Sequence, residues 1–191
     1  MSSDTPAASP VTQLLLEDAG RPDLVDRLMP LVYDELRHLA RSQLRREQGP
    51  ATLRTTELVH EAYSKLVAGS RVPADSKAHF FGAAARAMRQ VLVDRARART
   101  AKKRPPSGGR VTIDDLQLAD AADAEATDIL AIHTALEQLA EIDPRAARVV
   151  ELRYFGGLTV SESAEVLGVT DRTVKRDWRA ARLWLFRAME S

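Results

Sequence analysis

The stretch Leu158–Leu185, LTVSESAEVLGVTDRTVKRDWRAARLWL, predicts a helix, a tight turn and a second helix. Thr159 can cap the first helix. Gly168 lies where the chain must bend sharply, at a position that suits a positive φ. Thr170 or Asp171 can then cap the second helix. Two capped amphipathic helices that meet at a glycine corner are typical of a helix-turn-helix.

The second helix of this stretch has one apolar face and one basic face. Its inward residues recur at helical spacing and are Val174, Trp178, Ala181 and Leu185. Its outward residues are Arg172, Thr173, Lys175, Arg176 and Arg179. Hydroxyl and guanidinium groups on the first turns of such a helix suit the major groove of DNA. The alternative is an ordinary helical hairpin with a solvated basic face.

Composition excludes several classes of protein. The 191 residues include no cysteine, which excludes disulfides and thiolate metal sites and makes a reducing cytoplasm the natural compartment. No apolar run approaches the roughly 20 residues of a membrane span, so no membrane partner is expected. Residues 1–10 lack the pattern of a signal peptide and are predicted to be a disordered lead.

Charge is distributed unevenly, although the net charge is only +1. From Arg86 to Arg104 there are eight basic residues and one acidic residue. From Thr112 to Asp128 there are six acidic residues and no lysine or arginine. This order predicts a positive surface that is followed by a negatively charged connector.

The chain as a whole is predicted to be all-α, because no alternating strand pattern is present. We expect an N-terminal helical domain over residues 11–101, a linker over residues 102–123 and a C-terminal helix-turn-helix domain over residues 124–191. The linker contains a Pro-Pro-Ser-Gly-Gly run and the acidic stretch, which predicts disorder.

Within the N-terminal domain, several helix boundaries can be predicted. A helix over residues 23–46 contains Pro30, which should kink or break it. Thr55 or Thr56 should cap the next helix, over residues 57–67. Asp75 or Ser76 should cap a long helix that runs to about Arg99. In the C-terminal domain, a helix is predicted to begin at Ala124.

Three features together resemble one family: the segment Glu57–Tyr63 (ELVHEAY), the long basic helix and the C-terminal module. In this order they resemble bacterial sigma factors of the extracytoplasmic-function (ECF) type, over residues 24–185. The resemblance implies an N-terminal domain that binds the clamp of core RNA polymerase and opens the minus-ten promoter element. It also implies a C-terminal domain that reads the minus-thirty-five element and a linker that threads through the enzyme.

The resemblance also assigns residues. Those that match the polymerase-docking positions are Glu57, His60 and Glu61. Those that match or flank the minus-ten contacts are Arg86, Arg89, Gln90 and Arg97, since a glutamine amide can read adenine and arginines can hold phosphates. In the recognition helix the matching residues are Asp171, Arg172, Thr173, Lys175 and Arg176, and Arg179 extends the same face. The loop Gly69–Lys77 matches the segment that captures a flipped base.

Two departures from the wider sigma pattern are visible. Arg86-Ala87 stands where housekeeping sigma factors carry an aromatic pair that wedges the duplex open, which leaves the melting residue unassigned. Phe80 lies nearby but is predicted to be a core residue. Ser163 stands where an aliphatic residue is usual, and it can either weaken the packing slightly or bond back to a helix carbonyl through its hydroxyl.

An enzyme is the least favoured class. His60-Glu61 begins like a zinc-protease helix, but Ser64 occupies the place of the second histidine. We therefore predict no catalytic residue, no metal and no cofactor. The favoured interpretation is a cytoplasmic sigma factor that is monomeric when free, with core RNA polymerase and promoter DNA as partners, and it admits an anti-sigma protein. The alternative is a helix-turn-helix repressor or activator, which should dimerise and bind a palindrome alone.

Overall fold

The structure, a computed structural model, describes residues 10–17, 21, 23–46, 53–68, 76–101 and 113–189. Within these residues the α-helices are α1 Pro10–Glu17, α2 Leu24–Arg46, α3 Thr55–Ala68, α4 Lys77–Ala101, α5 Ile113–Ile142, α6 Pro144–Val150, α7 Val160–Leu167 and α8 Asp171–Met189. A π-helical turn, Glu151–Phe155, continues α6. The described residues contain no strand, and the all-α prediction is confirmed.

Helix boundaries in the N-terminal half (residues 10–101) follow local chemistry. Pro30 lies inside α2, which continues through it, so of the predicted kink or break the break does not occur and the kink stays a prediction. α3 begins at Thr55, which places both predicted threonine caps inside the helix. The backbone N–H of Arg54 instead donates to Glu57 at 3.1 Å, which fixes the start of α3. Ser76 precedes α4, and its hydroxyl accepts from the N–H of His79 at 3.4 Å.

The acidic stretch is helical from Ile113 onward, so the predicted helix start at Ala124 and the predicted disorder of this stretch are corrected. Residues 113–126 contain several alanines and leucines and no glycine or proline. Intrinsic helix propensity therefore outweighs the run of like charges, which alone had suggested a disordered linker. Residues 102–112 lie outside the described residues, and the division into two domains stays a prediction.

A large apolar core joins α1 to α4, and Phe80 is fully buried in it, as predicted. Leu152 and Leu158 from the C-terminal half (residues 113–189) belong to the same cluster. A second cluster packs α5 and α6 against Ala181 of α8. The first cluster thus joins the two halves through apolar contacts, whereas the second lies within the C-terminal half. In the described part of the chain, no helix is both long and apolar enough to cross a bilayer.

Candidate nucleic-acid interface

The first helix of the helix-turn-helix, α7, is fixed at its start by a capping box. The backbone N–H of Glu162 donates to Oγ1 of Thr159 at 3.2 Å. In return, the backbone N–H of Thr159 donates to the Glu162 carboxylate at 2.8 Å. This reciprocal pair satisfies donors at the helix start and confirms the predicted cap. Ser163 is fully buried and its hydroxyl donates to the carbonyl of Thr159 at 2.8 Å, as its position predicted.

The turn between α7 and α8 has the predicted geometry. Gly168 has a φ of 62°, which is the left-handed region that glycine adopts without a steric penalty. The N–H of Val169 donates to the carbonyl of Ala164 at 3.0 Å, which closes the turn. Thr170 caps α8, because its hydroxyl accepts from the N–H of Thr173 at 3.3 Å. Val174 is fully buried behind this turn and fixes which side of α8 faces outward.

The outward side of α8 is strongly cationic. Arg172, Lys175 and Arg179 are exposed, and we call these three residues the α8 basic face. Arg176 is exposed beside them, but its Nε donates to Asp177 at 3.1 Å. Thr173 is only half-buried rather than fully outward, since its hydroxyl meets that of Thr170 at 3.0 Å.

Asp177 is a buried ion-pair residue beside this face that the sequence analysis missed. Its side chain is 5 % exposed, and Arg145 of α6 donates to it at 2.6 Å. Burial raises the pKa of Asp177, but the hydrogen bonds from Arg145 and Arg176 lower it by more, so the pKa lies below its ordinary value. The pair ties α8 to α6 and thereby orients the α8 basic face. The available signal was that Asp177 is the one acidic residue of α8 beyond its first turn.

The predicted minus-ten arginines lie together on α4 and face the C-terminal half. We call Arg86, Arg89 and Arg97 the α4 basic face. Nη2 of Arg86 donates to Glu151 at 2.7 Å, and Nη2 of Arg89 donates to the same carboxylate at 2.9 Å. Gln90 is half-buried and donates to Asp94 at 2.8 Å, within α4.

Glu151, on the π-helical turn, is the second residue that the sequence analysis missed. Its side chain is 8 % exposed, and Arg148 of α6 also donates to it at 2.7 Å. Burial raises the pKa of Glu151, while hydrogen bonds from Arg86 and Arg148 and the nearby charge of Arg89 lower it by more. The carboxyl is therefore charged at neutral pH, with a pKa below its ordinary value.

His133 of α5 meets the other end of the α4 basic face. Its Nδ1 lies 2.7 Å from Nη1 of Arg89, and its Nε2 lies 3.2 Å from Glu137 and 3.1 Å from Arg97. A neutral ring with its proton on Nε2 accepts from Arg89 at Nδ1 and donates to Glu137 from Nε2, and the contact of Nε2 with Arg97 is then not a hydrogen bond. Burial, together with Arg89 and Arg97, lowers the pKa of His133 below 6.5.

The predicted polymerase-docking residues lie one turn apart on the outer side of α3. Glu57 and His60 are exposed, and Glu61 is half-buried in an ion pair with Arg95 of α4. The structure therefore brings all three together on one helix face. Residues 69–75 of the predicted base-capture loop lie outside the described residues. Among the residues that the structure describes, no cluster of histidine and carboxylate side chains could hold a metal ion.

These features define an all-α protein that carries a capped helix-turn-helix with a cationic recognition helix. The chain belongs to the ECF sigma factor family, whose family model matches residues 8–191. Comparisons with curated proteins and with solved structures give no match. Membership assigns this chain to the non-catalytic regulators that act in transcription initiation, and it implies interactions with RNA polymerase and promoter DNA.

Proposed function

We propose that this chain binds core RNA polymerase and directs it to a specific set of promoters, without chemistry of its own. The observation that carries the proposal is the α8 basic face. It stands exposed on a helix whose start, turn and rotation are each fixed by local contacts. Membership of the ECF sigma factor family supports core RNA polymerase as the partner.

In this proposal the α8 basic face reads the minus-thirty-five element. Arg172 lies in the first turn of α8, where recognition helices meet base edges, and it is assigned to a base. Lys175 and Arg179 lie further along and are assigned to phosphates. Arg176 is assigned a phosphate role as well, although its bond to Asp177 restricts its reach.

The α4 basic face and Gln90 are assigned to the minus-ten element. Support comes from the common helix on which they lie and from the chemistry of guanidinium and amide groups, which suits phosphates and adenine. In the isolated chain the three arginines of this face contact groups of the C-terminal half instead.

Glu57, His60 and Glu61 are assigned to the polymerase clamp. Their shared exposed side of α3 and their match to the family's docking segment support this role. We further propose that the free chain is a monomer that acts in the cytoplasm, where the polymerase works, and that an anti-sigma protein can control it.

The test is to mix the full chain with core RNA polymerase and a library of promoter fragments, and to measure promoter-dependent initiation. The variant Glu57→Lys/Glu61→Lys should weaken core binding by about tenfold or more, since two charges of a docking surface are reversed. The matched control is Glu17→Lys/Asp34→Lys, which changes the same charge at exposed positions of α1 and α2.

Initiation that does not depend on the chain would overturn the proposal. Tight binding of a palindromic DNA by a dimer of the chain alone would favour the repressor or activator alternative. Unchanged core binding by the α3 variant would remove only the docking assignment.

A further inference from the structure

The junction of the two halves centres on one buried carboxylate. Glu151 accepts from Arg86 and Arg89 of α4 and from Arg148 of α6, at 2.7, 2.9 and 2.7 Å. A guanidinium binds a carboxylate and a phosphate with the same donors and nearly the same geometry. Glu151 therefore occupies the place that a DNA phosphate would need on α4.

Apolar and neutral contacts close the same junction. Gly82 of α4 lets Leu152 approach so closely that an added Cβ would lie 2.6 Å from Cδ2 of Leu152. Gln43 of α2 donates to the carbonyl of Phe155 at 3.1 Å, and the Phe155 ring lies 5.6 Å from the Arg89 guanidinium. The π-helical turn is thus packed against α2 and α4 and covers this part of α4.

Accessibility differs between the two arginines that Glu151 holds. The Arg89 side chain is only 11 % exposed, because Glu151 covers one side of it and His133 the other. The Arg86 side chain is 57 % exposed, but its guanidinium is already paired. DNA cannot reach Arg89 unless the C-terminal half moves away from α4.

The charges and hydrogen-bond donors of the closed junction are not all matched by partners. Three guanidinium groups share one carboxylate, so positive charge remains in excess. Nε of Arg89 is buried without a hydrogen-bond partner among the described residues. Both features cost free energy in the closed form and favour a partner that supplies more negative charge.

We propose that Glu151, Arg86 and Arg89 form an autoinhibitory contact, the Glu151 latch, which closes the C-terminal half over the minus-ten surface of the free chain. Glu151 competes with DNA phosphates for the two arginines, and the latch opens when core RNA polymerase holds the two halves apart. This inference rests on the proposed minus-ten role of α4.

The test uses two variants that open the latch by different routes. Glu151→Gln removes the charge and nearly keeps the volume. Gly82→Leu keeps every charge, but its side chain collides with Leu152, while leucine remains a good helix former in α4. Glu141→Gln on exposed α5 surface is the control for the change of net charge that Glu151→Gln introduces.

Opening is measured on the full chain by energy transfer between dyes on Ser64→Cys and Ser161→Cys. Both serines are exposed, one in each half, and the chain has no other thiol. DNA binding is measured in parallel with a short fluorescent single-stranded DNA of mixed sequence, because phosphate contacts do not depend on sequence.

We expect both variants to lengthen the dye distance and to raise the affinity of the free chain for this DNA by about fivefold or more. The control should match the original chain in distance and should gain far less affinity. Adding Arg86→Gln and Arg89→Gln to Glu151→Gln should remove the gain. If circular dichroism shows that Glu151→Gln is unfolded, the result for Gly82→Leu decides the test by itself.

Two results would overturn the latch. If the original chain already shows the long distance of the variants, the closed junction does not form in solution; the proposed sigma function is then untouched and is tested by initiation. If the variants open but bind DNA no better, the covered arginines are not DNA ligands, and the minus-ten assignment falls together with the latch.

Discussion

The two basic faces of this protein have the same side-chain chemistry and opposite availability. The α8 basic face, Arg172, Lys175 and Arg179, is exposed above a helix-turn-helix. The α4 basic face, Arg86, Arg89 and Arg97, contacts Glu151 and His133 of the other half of the chain. Residue type therefore predicts what a surface can bind, whereas the tertiary partner decides whether it can bind in the free state.

Each face is associated with one buried carboxylate, and the two carboxylates act differently. Asp177 accepts from Arg145 within the C-terminal half, so it orients α8 and leaves the α8 basic face open. Glu151 accepts across the junction, from Arg86 and Arg89, so it occupies the face that it contacts. A buried acid can thus either present a basic surface or cover it.

The largest effect should come from the apolar contact beneath the α4 basic face. Leu152 is fully buried at the junction, and Leu152→Ala should lower the free energy of unfolding by about 2–5 kcal/mol, through lost burial and a residual cavity. Leu183→Ala, on an exposed position of α8, is the control and should change it by less than about 0.5 kcal/mol. Urea denaturation measures both. Equal losses of stability in Leu152→Ala and Leu183→Ala would show that packing at the junction contributes no more than packing at the exposed side of α8.

The second-largest effect on stability should come from Asp177, the buried carboxylate of α8. Asp177→Ala should lower the free energy of unfolding by about 1.5–3 kcal/mol, because it removes a charged hydrogen bond and leaves Arg145 without this partner. Since the pKa of Asp177 is lowered, this contribution is present above pH 3.8 and is lost as the pH falls through the lowered folded-state pKa. Thermal unfolding against pH, with the exposed Asp128→Ala as control, measures it. A stability loss that persists at strongly acidic pH would contradict the ion-pair explanation.

The α8 basic face can be separated into base and phosphate contacts. Arg172→Ala should relax the preference at one or two upstream promoter positions, by about 1–3 kcal/mol of discrimination. Lys175→Ala should instead weaken all promoters similarly and flatten the salt slope by about one unit. Holoenzyme binding to an upstream-randomised library at two salt concentrations distinguishes them. An unchanged sequence preference in Arg172→Ala would mean that α8 contacts only the phosphate backbone of the DNA.

The smallest effect is expected from His133 at the end of the α4 basic face. Burial, together with the charges of Arg89 and Arg97, lowers the pKa of His133 by more than Glu137 and Asp94 raise it. A lowered pKa means that the neutral ring stabilises the structure above pH 6.5 and that this contribution is lost as the pH falls through the folded-state value. Unfolding curves at falling pH should show a step that His133→Gln reduces. An identical step in both proteins would assign it to another group.

Local sequence patterns are sufficient to predict the helical class and the DNA-binding motif of this protein. Thr159 as a cap, Gly168 at positive φ and Val174 as the buried anchor are each fixed by interactions within a few residues, which local patterns report. The resemblance to ECF sigma factors rested on the same local motifs and is confirmed by the family match. α5 begins at Ile113 rather than at the predicted Ala124, because intrinsic helix propensity outweighs the run of like charges.

Which of the charged side chains are exposed depends on tertiary contacts that no local pattern reports. Arg86 and Glu151 are 65 residues apart in the chain, so no periodicity or cap connects them. The same holds for Arg145 with Asp177, and for Gly82, whose missing side chain matters only because Leu152 packs there. Periodicity reports which side of a helix is apolar, but long-range packing determines which group neutralises a buried charge and therefore which basic face stays exposed.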